Sequence, residues 1–288
     1  MFGLPEDRRT MTERIDSHHH LWRYNDAEFD WIDDRMKCLQ RDFLPSDLEA
    51  LLTPQSIDGT VVVQARQSLE ETNWLLRVAA ECATIRGVVG WAPVSGTSFE
   101  KELERLASNL ALKGLRHVIQ AEPDENYILR EDFNRGISVL TKIGLVFDIL
   151  ILERHLPQAI DFVDRHPNQL FVLDHIGKPA IMEKTYDPWQ SNIARLAERE
   201  NVYCKVSGMV TEASWATWKE DDLTPYWDCV LHAFTPGRLM FGSDWPVCLV
   251  ASSYEKWFEV ARGWIRHLSA TEQERILGGT AIEVYGLR

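Results

Sequence analysis

Eight short apolar runs, each followed by a stretch with helical spacing, recur along this chain at roughly 25- to 40-residue intervals. That alternation restricts the fold more than any other feature. The strand-like runs are "RIDSHHH" (14–20), "GTVVVQA" (59–65), "GVVGWAPV" (87–94), "GLRHVIQ" (114–120), "GLVFDILI" (144–151), "LFVLDHI" (170–176), "NVYCKVSG" (201–208) and "RLMFGSDW" (238–245). Several are β-branched and continuously apolar, as strands covered on both faces are.

The intervening segments carry the 3.6-residue period. In "SLEETNWLLRVAAEC", Leu69, Trp74, Leu75, Val78 and Ala79 share a face, Ser68 is placed to cap, and Glu71 follows three residues on. "SFEKELERLASNLA" repeats the pattern with Leu103, Leu106 and Leu110, and "LPQAIDFVDRHPNQ" ends in a His-Pro-Asn stop signal. Strands alternating with helices predict a parallel sheet, and a count of eight predicts an α/β fold of one (β/α)₈ barrel. The barrel is expected over residues 14–288, after a loose N-terminal extension at 1–13. Neither GxGxxG nor GxxxxGK[ST] follows any strand, which removes the commonest nucleotide-binding alternatives.

The length of 288 residues accommodates such a barrel with a short extension. A net charge of −13 disfavours nucleic acid and anionic membrane surfaces as partners. No apolar run reaches the 18 or so residues a bilayer span needs, and the polar start lacks the hydrophobic region of a signal peptide. The five cysteines form no CxxC pair and are odd in number, so a reducing cytoplasm is the expected compartment.

In a (β/α)₈ barrel the chemistry sits at the C-terminal strand ends. The polar residues expected there are His18 and His20, Gln64, Arg116 with His117 and Gln120, Asp148, Asp174 and His175, Lys205 and Ser207, and Asp244. Residues two apart on a strand face one way, so His18 and His20 point together while His19 faces the other side. With His175 and Asp244 they form an N/N/N/O set, the donor types a zinc-like ion takes. One divalent metal, or none with the imidazoles acting as hydrogen-bond donors, are both compatible with the pattern. Asp244 closes the last strand beside His18 and His20, where a general base would activate water, although an Asp there also serves as a helix cap. In "LDHIGKP", His175 is expected in the site, while Asp174 or Lys178 holds the loop. Arg116 either pairs with a barrel carboxylate or donates to a substrate carbonyl oxygen. The segment "HLWRYNDAEFDWIDDRM" carries Trp22, Tyr24, Phe29 and Trp31, which either pack on the rim or wall a pocket for a sugar's C–H face. His117, Gln120, Trp22 and Trp31 are the remaining candidate substrate contacts. No GxSxG or cysteine signature supports a serine or cysteine nucleophile.

An HxH on the first strand and an Asp on the eighth, here His18-His19-His20 and Asp244, resemble the amidohydrolase superfamily. The stretches "IDSHHHLWRY", "RDFLPSDL", "GTVVVQARQSLEET", "LKGLRHVIQAEPD", "FVLDHIGKP", "CKVSGMVTEA" and "MFGSDWPVC" are more narrowly similar to its sugar-lactonase branch, from about residue 14 to the end. The resemblance implies hydrolysis of a sugar lactone to its aldonic acid, with Arg116 facing substrate and His18, His20, His175 and Asp244 as the carried-over site. The chain departs from the binuclear members: only His175 stands among the histidines expected after the middle strands, and Asp148 occupies the fifth strand. That argues for one metal or none. Decarboxylation of an unsaturated or aromatic acid, hydrolysis of a dicarboxylate lactone, and a non-catalytic sugar-binding barrel are the alternatives. The decarboxylase would need basic residues for its substrate's carboxylates, for which Arg116, Lys178 and Lys205 are the candidates.

Overall fold

The computed structural model describes residues 12–287; the expected extension at 1–13 lies almost wholly outside them. Eight parallel strands form one sheet in sequence order: β1 (Ile15–His19), β2 (Gly59–Val63), β3 (Ile85–Gly90), β4 (Leu112–Val118), β5 (Val146–Leu150), β6 (Phe171–Leu173), β7 (Val202–Val206) and β8 (Leu239–Phe241). Just past β8, Trp245 bridges back to His19 of β1. The Asp244 amide donates to the His18 carbonyl at 2.8 Å and the His20 amide to the Trp245 carbonyl at 2.7 Å. These bonds close the barrel, and they belong to residues of the candidate site.

The helices α1 (Pro45–Gln55), α2 (Leu69–Glu81), α3 (Phe99–Ala107), α4 (Glu131–Ile143), α5 (Leu156–Arg165), α6 (Trp189–Ala197), α7 (Glu220–Phe234) and α8 (Tyr254–Ile265) alternate with the strands. Two short helices follow, α9 (Ala270–Glu274) and α10 (Thr280–Tyr285). Among the described residues no helix is long and apolar enough to cross a membrane. Ser68 caps α2 as expected, its hydroxyl accepting from the Glu71 amide. The Glu71 carboxylate does not complete the reciprocal box. It turns back to accept from the amides of Ala65 and Arg66 at 3.0 and 2.8 Å, bracing the loop after β2. Leu110 also departs from expectation: α3 ends at Ala107, and Leu110 stands in the turn beyond it, 85% exposed.

Inward-facing residues change character along the barrel axis. At the lower end Ile15, Val61, Val63, Val89, Val146, Val172 and Met240 form an apolar layer, closed from below by Ala281, Val284 and Tyr285 of α10. One step further along the strands, period-2 alternation brings in Arg116, Asp148, Asp174 and Lys205, all buried. Lys205 Nζ lies 2.5 Å from Asp148 and 3.0 Å from Asp174, and the Tyr285 hydroxyl reaches both Asp148 oxygens at 2.9 Å. An isolated charge at that depth is costly, so these charges occur as partners. The final layer, at the C-terminal strand ends, holds the histidines.

Candidate active site

A bulge in β1 aims His18 and His20. The β1–β2 register shifts between Asp16 and His19, so β1 carries one residue more than its partner. Ile15 then packs in the lower apolar layer, while His18 and His20 turn to each other, Nε2 to Nε2, at 3.1 Å. His19 points elsewhere and bonds Thr60 Oγ1 at 3.0 Å.

The partners fix the tautomers. His20 Nδ1 lies 2.8 Å from the Val63 carbonyl, which only accepts, so Nδ1 carries the proton and Nε2 a lone pair. His18 Nδ1 lies 3.3 Å from Asp174, and Arg116 Nη1 lies 3.4 Å from His18 Nε2, which places the His18 lone pair on Nε2 as well. Two lone pairs therefore face each other, with Asp244 Oδ1 at 3.4 Å from His20 and 3.7 Å from His18. Such convergence is unfavourable without a cation, and it suits one. His18, His20 and Asp244 form one triple able to hold a metal ion; His18, Asp174 and His175 form a second that shares His18. The four residues grouped from the sequence thus fall into two overlapping sets, with Asp174 added.

His175 is delivered by unusual backbone. After β6 the chain makes four consecutive left-handed residues, His175 (φ 53°), Ile176 (φ 50°), Gly177 (φ 73°) and Lys178 (φ 48°). A β-branched residue such as Ile176 rarely adopts this region; each such non-glycine residue costs about 1–2 kcal/mol. Strain of this kind persists where the surroundings impose it, and it concentrates at functional sites. The turn sets the His175 ring 4.6 Å from the His18 ring, with Nδ1 2.9 Å from Ser207 Oγ. Asp244 (φ 56°) is left-handed too. Asp16 ties the two ends together, accepting from the Ser243 amide at 2.8 Å, the His18 amide at 3.2 Å and the Tyr254 hydroxyl at 3.2 Å.

Electrostatics suit a cation or a base. Burial holds His18 well below its ordinary value and lowers His175 to about 4, so both are neutral near pH 7. Burial would raise Asp244, but the neighbouring His175 and His20 and the charge of Lys178 prevail and hold it below the usual carboxylate range. Asp174 is likewise held well below that range against the effect of burial, by Lys205, His18 and Arg116. The site sets two carboxylates beside the neutral imidazoles of His18 and His175.

The other sequence candidates are distributed as follows. Arg116 joins the cluster by pairing with Asp174 at 2.9 Å, and its second amine donates to the Gln64 carbonyl. His117 is not brought to it. As the neighbour of Arg116 on β4 it faces the opposite side, 2.6 Å from Glu122 and stacked on Tyr127. Gln120 lies in the turn after β4, half-buried. Trp22 is buried against Phe29, Trp31 and Phe43, with its indole N–H on the Arg41 carbonyl at 2.9 Å, so it braces the loop after β1. Trp31 packs edge-on to Trp22 and is 38% exposed. Asp174 is no loop holder; it touches His18, Arg116 and Lys205. Gly208 and Gly242 escaped the sequence reading. A Cβ on Gly208 would lie 2.5 Å from His175 Nδ1, and one on Gly242 2.7 Å from His18 Cβ. The only sequence signal was a glycine within two residues of a strand's C-terminal end.

A family model described as amidohydrolase matches residues 15–287. The chain belongs to the amidohydrolase family. Among members of known activity, an L-fucono-1,5-lactonase of Burkholderia multivorans is 41% identical over 287 residues, covering 95% of this chain and 96% of that protein. An L-fucono-1,5-lactonase of Burkholderia ambifaria is 34% identical, covering 96% of each. A crystal structure of an amidohydrolase from Burkholderia multivorans with bound zinc superposes with a TM-score of 0.90 at 40% identity, covering 96% of this chain and all of that one.

Proposed function

We propose that this amidohydrolase opens the cyclic ester of a sugar acid, an aldonolactone of the L-fucono-1,5 class, to the free aldonic acid. The observation that carries the reading is the convergence of His18, His20 and an ionised Asp244 at the barrel mouth, in a chain 41% identical over 95% of its length to an L-fucono-1,5-lactonase. Asp244 is the base. Its Oδ1 faces the two histidines, which leaves Oδ2 to accept a proton from a water attacking the lactone carbonyl. The carbonyl carbon becomes tetrahedral and its oxygen gains negative charge beside Arg116, whose Nη1 lies 3.4 Å from His18 Nε2. On collapse the ring C–O bond breaks, and Asp244 returns the proton to the departing ring oxygen. His18, His20 and Asp244 would hold a divalent cation such as zinc; when bound, it supplies Lewis acidity toward the carbonyl and acidifies water. His175, fixed by Ser207, and Asp174 orient and charge-balance this set.

The decarboxylase alternative needs a cation left over to bind a substrate carboxylate in the ground state, and each of its three candidates already pairs with a carboxylate. Arg116 is committed to Asp174, Lys205 to Asp148 and Asp174, and Lys178 to Glu212. The five unpaired cysteines fit a reducing cytoplasm. The test is acid release from a panel of aldonolactones, followed with a pH indicator. Turnover of 1,5-lactones of 6-deoxy sugars supports the reading; carbon dioxide release, or binding without turnover, would replace it.

A further inference from the structure

Beside the histidine cluster, the loops after β6 and β7 enclose a recess of about 640 Å³, within the range of small-molecule sites. The loop after β1 reaches it through Arg35 and the loop after β5 through Glu153, so four strand-end loops meet there. Three of its side chains differ from an ordinary solvated rim.

Lys178 ends the left-handed turn that presents His175, and its amide donates to the His175 carbonyl at 2.9 Å. Its side chain is only 17% exposed and its ammonium lies 3.1 Å from Glu212 Oε1, on a side chain that is 22% exposed. The loops are also joined through backbone, the Met182 amide donating to the Glu212 carbonyl at 3.0 Å. Trp215 is half-buried; its indole N–H is held on the Thr211 carbonyl at 2.9 Å, and Arg35 stands 5.9 Å from its ring centre. The recess thus offers an oriented aromatic ring and, beside it, a sheltered donor–acceptor pair.

We propose that Lys178, Glu212 and Trp215 form the subsite that reads the hydroxyl pattern of the lactone ring. The inference rests on the lactonase reading and deepens it. A polyhydroxylated ring has a C–H face and an edge of alternating donors and acceptors. The Trp215 ring takes the C–H face. The ammonium donates to one hydroxyl oxygen, the carboxylate accepts from a neighbouring hydroxyl, and the two charges keep each other balanced. Lys178 is tied to the site through the backbone, its amide on the His175 carbonyl at 2.9 Å. A ring bound there is registered against the base. Because the pair is sheltered, an epimer that leaves one charge without its hydroxyl is rejected more strongly than one differing only in apolar bulk.

The experiment compares wild type with Lys178→Met, Glu212→Gln and Trp215→Phe on the best aldonolactone, its epimers and its monodeoxy analogues. Circular dichroism and melting temperature establish that each variant folds. Lys178→Met and Glu212→Gln are expected to lose about 10- to 100-fold in kcat/KM on the parent lactone, the scale of a hydrogen bond to a charged group. The loss should shrink to within about 3-fold on the one deoxy analogue that lacks the hydroxyl concerned. Trp215→Phe should raise KM with little change in kcat. Equal losses on every analogue would overturn the subsite, because a purely structural or field effect does not distinguish hydroxyls. A loss confined to kcat with a displaced pH profile would overturn it too. Wild type is measured first: its failure on every lactone overturns the lactonase reading itself, whereas wild-type turnover with unaffected variants overturns only the subsite.

Discussion

Gly208→Ala is a one-methyl test of how the site is built. The residue touches no substrate in this account; it makes room for His175. Its φ of +63° puts an alanine in the left-handed region, at a cost of about 1–2 kcal/mol. The added methyl would lie 2.5 Å from His175 Nδ1 and 2.7 Å from Cγ. Relief requires the imidazole to withdraw by about 1 Å, and a displacement of that size at a reacting centre costs on the order of 100-fold in rate. The movement also weakens the 2.9 Å bond to Ser207, worth about 1 kcal/mol. The expected outcome is a folded protein, destabilised by about 2–4 kcal/mol, with kcat/KM down roughly 100-fold. Gly144→Ala is the control. That glycine has φ +79° at the end of α4 and nothing within 4 Å of the added methyl. It carries the backbone cost alone, and turnover should not change. Melting curves and lactone turnover on both proteins decide the matter. Wild-type activity in Gly208→Ala, or an equal activity loss in both variants, would refute the reasoning.

Three further outcomes follow from the buried groups. Lys205→Met leaves Asp148 and Asp174 without their shared cation and should destabilise the barrel by about 3–5 kcal/mol, read by denaturant unfolding. His19 is lowered to about 3 by burial, so the neutral ring contributes stability that is present above its ordinary 6.5 and is lost as pH falls toward 3. In that window the unfolded chain binds more protons; His19→Gln should flatten unfolding free energy against pH by up to about 1.4 kcal/mol per unit there. The purified protein should hold close to one divalent ion by elemental analysis, with His20→Ala carrying much less, since it removes one of the two facing lone pairs.

The barrel was legible because its strands are covered on both faces: all eight runs overlap a strand, and the apolar character that marks them follows from burial. Strand ends were less legible. The runs at 170–176 and 238–245 read as strand throughout, yet the strands end at Leu173 and Phe241, and the chain beyond them turns to present His175 and Asp244. Nothing in the local propensity of Ile176 announces a left-handed residue, because tertiary contacts impose it. Period-2 spacing brought His18 and His20 together correctly, although the bulge before them was not foreseen. His117 shows the reverse: it stands among the polar residues at the end of the fourth run, and the same alternation sends it to the other face. Asp174 was ambiguous because its partners, Lys205 and Arg116, lie on strands distant in sequence.

The central claim is that Asp244 takes the proton from water during opening of a sugar lactone. The most direct test is kcat for Asp244→Asn against wild type, on the lactone that wild type turns over best, with metal content measured on both proteins. Asparagine keeps the shape and removes the base, so the account predicts a folded protein whose kcat falls by at least about 100-fold, including in preparations whose metal content matches wild type. Wild-type kcat in folded Asp244→Asn would contradict it.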